Sequence, residues 1–456
     1  MDEMETRALH EKIAELIENK NIKELKELLR SSNPIDIAEA IEGLDAKEIL
    51  LTYRLLPKEA AADLFVAVDS EFQEILVKGF SDTELRTVMD EIYIDEAVDL
   101  VEEMPANIVA RILKNTDAET RKSINTLLLY PEDSAGSIMT PEYVNLRAQM
   151  TVGEAFARIR RDGVDKETVY TCYVTEARRL VGVVSVRSLL LSDYDTHISD
   201  IMHTNYVSVE TTDDKEFVAA QIQKYGYLAI PVTDKEGCLV GIVTIDDAMD
   251  VMEDEATEDI EKMAAILPSE KPYMKTGVVA TWLKRIPWLL LLMVSATFTS
   301  RIINSFEQAL YACVALTAFI PMIMDTGGNA GGQSSVTIIR GLSLGDITLR
   351  DIFRILWKEL RVAALCGATI APVTFLKVMF VDGMFREPDG IAVAIVVSLT
   401  LFITIIVAKL IGCSLPLLAK SLKFDPAVMA SPFITTIVDA LSLLLYFAVA
   451  QRLLDI

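Results

Sequence analysis

Cysteine, histidine and tryptophan are scarce in this chain: its 456 residues include five, three and three of them. The cysteines (Cys172, Cys238, Cys313, Cys366 and Cys413) are scattered, with no Cys-x-x-Cys pair and no disulfide-scaffold spacing. Three lie in apolar segments, where Cys usually acts as a small packing residue. His10, His197 and His203 form no i, i+4 pair, so zinc chemistry has no support. A Walker-type phosphate loop is missing, which removes ATP hydrolysis as a driving force. The opening MDEMETRALHEK is charged from its second residue and has no apolar signal region, so the first half is expected in the cytoplasm. Bases are scarce in one half only. Residues 1–275 hold 29 Lys and Arg against 56 Asp and Glu, a net of −27, whereas residues 276–456 hold 14 against 11. A surface that negative repels phosphate and excludes nucleic acid as a partner. The second half has uncharged runs long enough to cross a bilayer, which excludes a purely soluble enzyme.

Within residues 1–130, helix-starting residues recur about every 12 positions, at Pro34, Asp45, Pro57, Ser70, Ser81, Ile94, Pro105 and Asp117. Pro suits the first helical turn, where its missing N–H has no partner to lose, and Asp and Ser cap free amides. Such a ladder predicts an all-α superhelix. As a docking scaffold it would need nothing beyond its solvated acidic surface.

From Pro131 to Met252 the texture becomes mixed helix and strand, and it repeats. Ser-Ile-Met-Thr at Ser137 returns as Asp-Ile-Met-His at Asp200, and Gly182-Val-Val-Ser-Val returns as Gly241-Ile-Val-Thr-Ile. The repeat resembles a tandem pair of cystathionine-β-synthase (CBS) modules, about 131–197 and 198–252. That resemblance implies a sensor of adenine nucleotides or ions. Its ribose-contacting Ser/Thr-x-x-Asp element maps to Thr244 and Asp247 in copy two. Copy one has Ser185 but Ser188 in place of the acid. ATP would contact Tyr170 and Arg187, and the missing acid argues against it.

The second copy runs into IDDAMDVMEDEATEDIEKM, with nine carboxylates and no base between Asp246 and Glu261. Helical spacing puts Asp247, Asp250, Asp254 and Glu258 on one face, with Glu255 and Asp259 beside them. Like charges one turn apart repel, and a divalent cation would relieve the repulsion. A regulatory cation site on a connecting helix at 253–275 is expected, against the plainer reading of a solubilising face.

Five apolar segments follow, about Ile286–Phe306, Ala309–Arg340, Lys358–Phe380, Ile391–Leu418 and Ala427–Leu453. Basic residues crowd one set of loops: Lys284 and Arg285, then Arg340 to Arg361, then Lys420 and Lys423. The opposite loops carry Glu307, Asp382, Glu387 and Asp389, so the N-terminus is expected inside and the C-terminus outside. The second segment contains PMIMDTGGNAGGQSS, with Asp325, Asn329 and Gln333 on one face and glycines allowing close helix approach. The fifth contains Pro432, expected to bend the helix and free a carbonyl near Val428, and the acid Asp439. An intramembrane acid faces a pathway or pairs with a base, here Lys409.

TGGNAGGQ with Arg340-Gly341, and DPAVMASPFITTIVDALSLLLYF, resemble the MgtE family of magnesium channels, as does the domain order over nearly the whole chain. The resemblance implies a homodimer in the cell membrane, surrounded by lipid. Its pore would hold hydrated Mg2+ at Asp439, lined by Ser431, Pro432, Thr435 and Asn329. It implies cytosolic magnesium sites at Asp214, Glu216, Asp247, Asp250, Glu255, Glu258, Asp259, Asp63, Asp95, Asp99 and, at the cytoplasmic mouth, Asp425. Gly226 stands where some relatives have an acid, which weakens the site near it. The expected architecture is multidomain. It has an all-α superhelical N domain (1–130), an α/β CBS pair (131–252), an acidic connecting helix (253–275) and five transmembrane helices (276–456). The expected activity is magnesium influx gated by intracellular magnesium, not catalysis. A cation-coupled secondary transporter and a membrane-tethered nucleotide receptor are the alternatives.

Overall fold

Capping chemistry sets the shape of the N-terminal part. Asp45 and Ser81 form reciprocal capping boxes with Glu48 and Glu84, Asp69 and Asp117 accept first-turn amides, and Pro57 and Pro105 occupy cap positions. From Ala46 to Leu127 each helix is ten residues long, and most of the joints are two extended residues. Each helix therefore packs on the next but one, as Pro34–Ile41 does on Lys58–Ala67 and Asp82–Glu91 does on Ala106–Asn115. Ile49, Leu64, Leu76, Leu85, Ala97, Ile112 and Ile124 fill the interior of this superhelix. Arg54 clasps Glu84 at 2.7 and 3.1 Å. The computed structural model describes residues 3–269, 273–429 and 431–454, in two units, Met1–Met252 and Glu253–Ile456.

The CBS copies have the same order. Copy one has β1 (Tyr143–Leu146), the helix Val152–Asp162, β2 (Thr168–Glu176) and β3 (Arg179–Ser185). Copy two has β4 (Val209–Glu210), the helix Lys215–Tyr225, β5 (Ala229–Thr233) and β6 (Leu239–Thr244). In each sheet the first two strands are parallel and the last two antiparallel. The repeated Ile-Met turns are exchanged. Thr140 bonds with Ile242 of β6 in both directions, and His203 does the same with Val183 of β3. This exchange explains the repeated glycines. A Cβ on Gly182 would lie 2.8 Å from the Met202 sulfur, and one on Gly241 2.7 Å from that of Met139. The N-domain core continues into copy two, whereas copy one has its own core around Val144, Leu146, Cys172 and Val184. The helix Ile245–Met263 follows β6 directly.

In the second unit four helical stretches among the described residues are long and apolar enough to cross a membrane: Val278–Ser305, Leu349–Val381, Gly390–Ser421 and Pro426–Leu454. The expected second span differs from the others. Its N-terminal part breaks into the short helix Glu307–Ala312 and a 3-10 turn at Val314–Phe319, and a continuous helix begins only at Ile320 and runs to Ser343. Glycines and polar side chains make this helix less apolar than the rest, yet it packs between Gly390–Ser421 and Ser431–Leu454. Pro432 is the second residue of the helix Ser431–Leu454. Its carbonyl accepts the hydroxyls of Thr435 (2.9 Å) and Thr436 (3.1 Å).

Candidate functional site

Glycine decides how the intramembrane acid is housed. Gly327, Gly328 and Gly331 face Val438, Thr435 and Ile434 so closely that added Cβ atoms would lie about 3 Å from those side chains. Added to Gly412, a Cβ would be 2.2 Å from the carbonyl oxygen of Gly331. The polar residues expected on the other face, Asp325, Asn329 and Gln333, are exposed on this unit. Asp439 is half-buried. Lys409 does not pair with it. That buried ammonium donates to the Ser334 hydroxyl at 3.3 Å, and Ser334 in turn donates to Glu359 at 2.7 Å. The Thr435 methyl packs on Gly328. The Ser431 side chain lies outside the described residues.

The acidic helix serves two separate clusters. In the first unit, Asp247 accepts a hydrogen bond from the Thr244 hydroxyl and is largely buried. Around it gather Asp95, Glu96 and Asp99 of the helix Ile94–Glu103, together with Glu142 and Glu167. Carboxylate oxygens of Asp95, Glu142 and Glu167 lie within 4.8 Å of one another, a grouping that could hold a metal ion. One buried oxygen of Asp95 and one of Glu167 have no hydrogen-bond partner. Burial first, then the charges of Asp247 and its neighbours, pushes Glu167 up to about 8. Burial and neighbouring acids likewise push Glu96 and Asp99 up to about 7 and hold Asp95 well above the carboxylate range. Desolvation without an opposite charge disfavours the ionised form, and a divalent cation would supply that charge.

Glu142 and Glu167 were not among the expected ligands. Each immediately precedes a strand, and β1 and β2 pair in parallel, Tyr143 beside Thr168. The Glu167 amide donates to the Glu142 carbonyl at 3.0 Å, so strand pairing itself sets the two acids together. Asp63 lies close by and is raised by burial and by Glu59. Asp214 caps the helix Lys215–Tyr225, accepting the Glu216 amide at 2.9 Å.

The second cluster lies in the second unit. Lys262 bridges Glu258 at 2.6 Å and Asp425 at 2.7 Å, and Asp259 accepts from the Ser343 hydroxyl at 3.2 Å. Burial raises the Asp259 carboxyl, with Asp425 and Glu258 adding to the effect. Burial opposes the Lys262 charge, but the two carboxylates outweigh it and raise the ammonium. Tyr170 is 67% exposed and Arg187 is exposed, while Ser188 stands 2.8 Å from Ser185, hydroxyl to hydroxyl.

Known proteins resemble this chain in sequence and in fold. A family model described as a divalent cation transporter (MgtE) matches residues 320–449, the MgtE intracellular N domain matches 32–133, and the CBS domain matches 135–194 and 198–254. The magnesium transporter MgtE of Thermus thermophilus is 37% identical over 98% of this chain and 100% of its own length. The magnesium transporter MgtE of Bacillus subtilis is 32% identical over 95% of each chain. Among solved structures, the soluble part of a magnesium transporter superposes with a TM-score of 0.51 at 33% identity, covering 55% of this chain and 99% of that one. The cytosolic domain of the Mg2+ channel MgtE in complex with ATP gives 0.50 at 35% identity, covering 52% and 98%. These relatives are named for magnesium transport rather than catalysis, and their matches run through all the regions described above. The chain therefore belongs to the MgtE family of magnesium transporters.

Proposed function

We propose that this chain forms a magnesium-selective channel in the cell membrane, closed by the intracellular ion that it conducts. The observation that carries the reading is Asp439. It is a half-buried carboxylate among apolar helices, and no ion pair or hydrogen bond engages it among the described residues. An intramembrane acid in that state is costly unless a cation or water reaches it. In a homodimer two such acids would face one axis. Magnesium dehydrates reluctantly, so carboxylates that hold the hydrated ion through its waters avoid the dehydration barrier. Membrane potential and concentration gradient supply the driving force.

The topology in this proposal has five crossings, with Ile320–Ser343 among them. Its 24 residues span about 36 Å at ~1.5 Å per residue, enough to cross the hydrocarbon core. The N-terminus is inside and the C-terminus outside. Cytosolic magnesium would be sensed by Asp95, Glu142, Glu167 and Asp247 with Asp63, Asp99 and Asp250, and by Glu258, Asp259 and Asp425 with Glu255. Asp214 and Glu216 would make a further site. ATP at Tyr170 and Arg187 belongs to the proposal because a relative's cytosolic domain is solved with ATP. The Ser185–Ser188 hydroxyl contact, in place of an acid, weighs against a strong ribose contact.

The test is flux and current with purified full-length protein in liposomes. Wild type should pass magnesium current with no fixed coupling to protons or sodium, and Asp439→Ala should abolish it. A fixed coupling ratio would identify a secondary transporter, and absence of flux would point to a receptor.

A further inference from the structure

The glycine helix and the last helix run antiparallel, and their contacts set a register. Gly331 meets Ile434, Gly328 meets Thr435, and the Ser335 hydroxyl donates to the Met429 carbonyl at 3.3 Å. Moving one turn back from Gly328 reaches Asp325, and moving one turn on from Thr435 reaches Asp439. The two acids therefore stand at the same level of the helix pair. Among the described residues neither makes an ion pair or a hydrogen bond. The buried base Lys409 is committed elsewhere, at Ser334. Ser334 is nine residues along from Asp325, about 13 Å at ~1.5 Å per residue. Two carboxylates at one level in an apolar setting repel each other, and a divalent cation relieves both at once.

Resting on the reading of Asp439 as the cation-holding acid, we propose that Asp325 is a second carboxylate of the same site and sets its preference for divalent over monovalent ions. Asp325 is exposed on the unit while Asp439 is half-buried, so Asp325 stands at the open side of the site. Asn329 and Gln333 continue the same exposed face. Their amides can bond to the water shell of an ion arriving or leaving, whereas Asp325 adds charge. A dimer would present four carboxylates rather than two. A fourfold negative site favours a doubly charged ion over a singly charged one in proportion to ion charge.

The experiment uses the full-length protein in liposomes with three variants: Asp325→Asn, Asp325→Glu and Asp439→Ala. Magnesium-over-potassium selectivity is read from the reversal potential. Block is read with cobalt(III) hexaammine, whose six N–H-bearing ligands imitate a hydrated ion without exchanging. Asp325→Asn should weaken selectivity roughly a hundredfold, about tenfold for each of the two unit charges lost per dimer at an effective dielectric constant of about 20–40, and should weaken block as well. Asp325→Glu keeps the charge and should restore most of both. If Asp325→Asn does not reconstitute, Asp325→Ser takes its place as the neutral variant and must show the same loss. Wild-type block and selectivity in the neutral Asp325 variant, with Asp439→Ala inactive, would overturn this inference and leave the pore reading standing. Unchanged behaviour of Asp439→Ala as well would overturn both.

Discussion

Magnesium binding to the cytosolic acid cluster should release protons, and the structure sets how many. Without a cation, Glu167 is pushed up to about 8 and Glu96 and Asp99 to about 7, and Asp95 is held well above the carboxylate range. At pH 7 a group with a pKa of about 8 is roughly nine-tenths protonated and one at about 7 is half protonated. Glu167, Glu96 and Asp99 are therefore expected to carry about two protons per chain between them, and Asp95 adds to that number. A divalent cation binds the ionised carboxylates and displaces those protons. Near neutrality the apparent dissociation constant should then fall by on the order of a hundredfold per pH unit. The sign for stability runs the same way. Raised carboxyls bind more protons folded than unfolded, so metal-free stability is highest below their unfolded pKa and declines as pH rises through about 8. The assay is calorimetric titration of the full-length protein with magnesium chloride at pH 7, in two buffers of different ionisation enthalpy. The slope of observed heat against buffer enthalpy counts the protons. Glu167→Gln should lower that count by about one. A wild-type count of zero, or an unchanged count in Glu167→Gln, would refute the reasoning.

The remaining predictions concern the membrane unit and the connecting helix. Gly412→Ala places a Cβ 2.2 Å from the Gly331 carbonyl, so the helices must separate, and the variant should lose about 3 kcal/mol or fail to yield monodisperse protein. A wild-type melting temperature for Gly412→Ala would contradict the packing. Pro432→Ala gives up the fixed backbone of a proline near the start of Ser431–Leu454, so stability and single-channel conductance should change little, by less than about 1 kcal/mol for the former. A large loss of conductance would show that the ring itself shapes the pathway. Neutralising Asp247, Asp250, Glu255, Glu258 and Asp259 together removes ligands from both clusters. Magnesium should then no longer protect the cytosolic part from protease, whereas identical protection curves would reduce the helix to a solubilising surface.

Local chemistry was legible without coordinates. Asp45, Ser81 and Asp117 mark helix starts because a cap acts on amides two or three residues away, within reach of any sequence pattern. The CBS repeat was legible for a related reason: Gly182 and Gly241 must leave room for Met202 and Met139, so each copy keeps both halves of the contact. The spacing of Asp325, Asn329 and Gln333 likewise foretold one exposed face on a glycine-rich helix. What sequence alone did not show are the encounters between distant segments. Glu142 and Glu167 are 25 positions apart and meet because two parallel strands pair. Lys409 was the base that could have paired with Asp439, and it instead reaches Ser334, because the glycine seam brings that turn beside it. Caps, periods and repeats depend on neighbours along the chain and so were determined by the sequence itself. Charge clusters and helix register depend on which surfaces pack closest, and only the tertiary structure decides that.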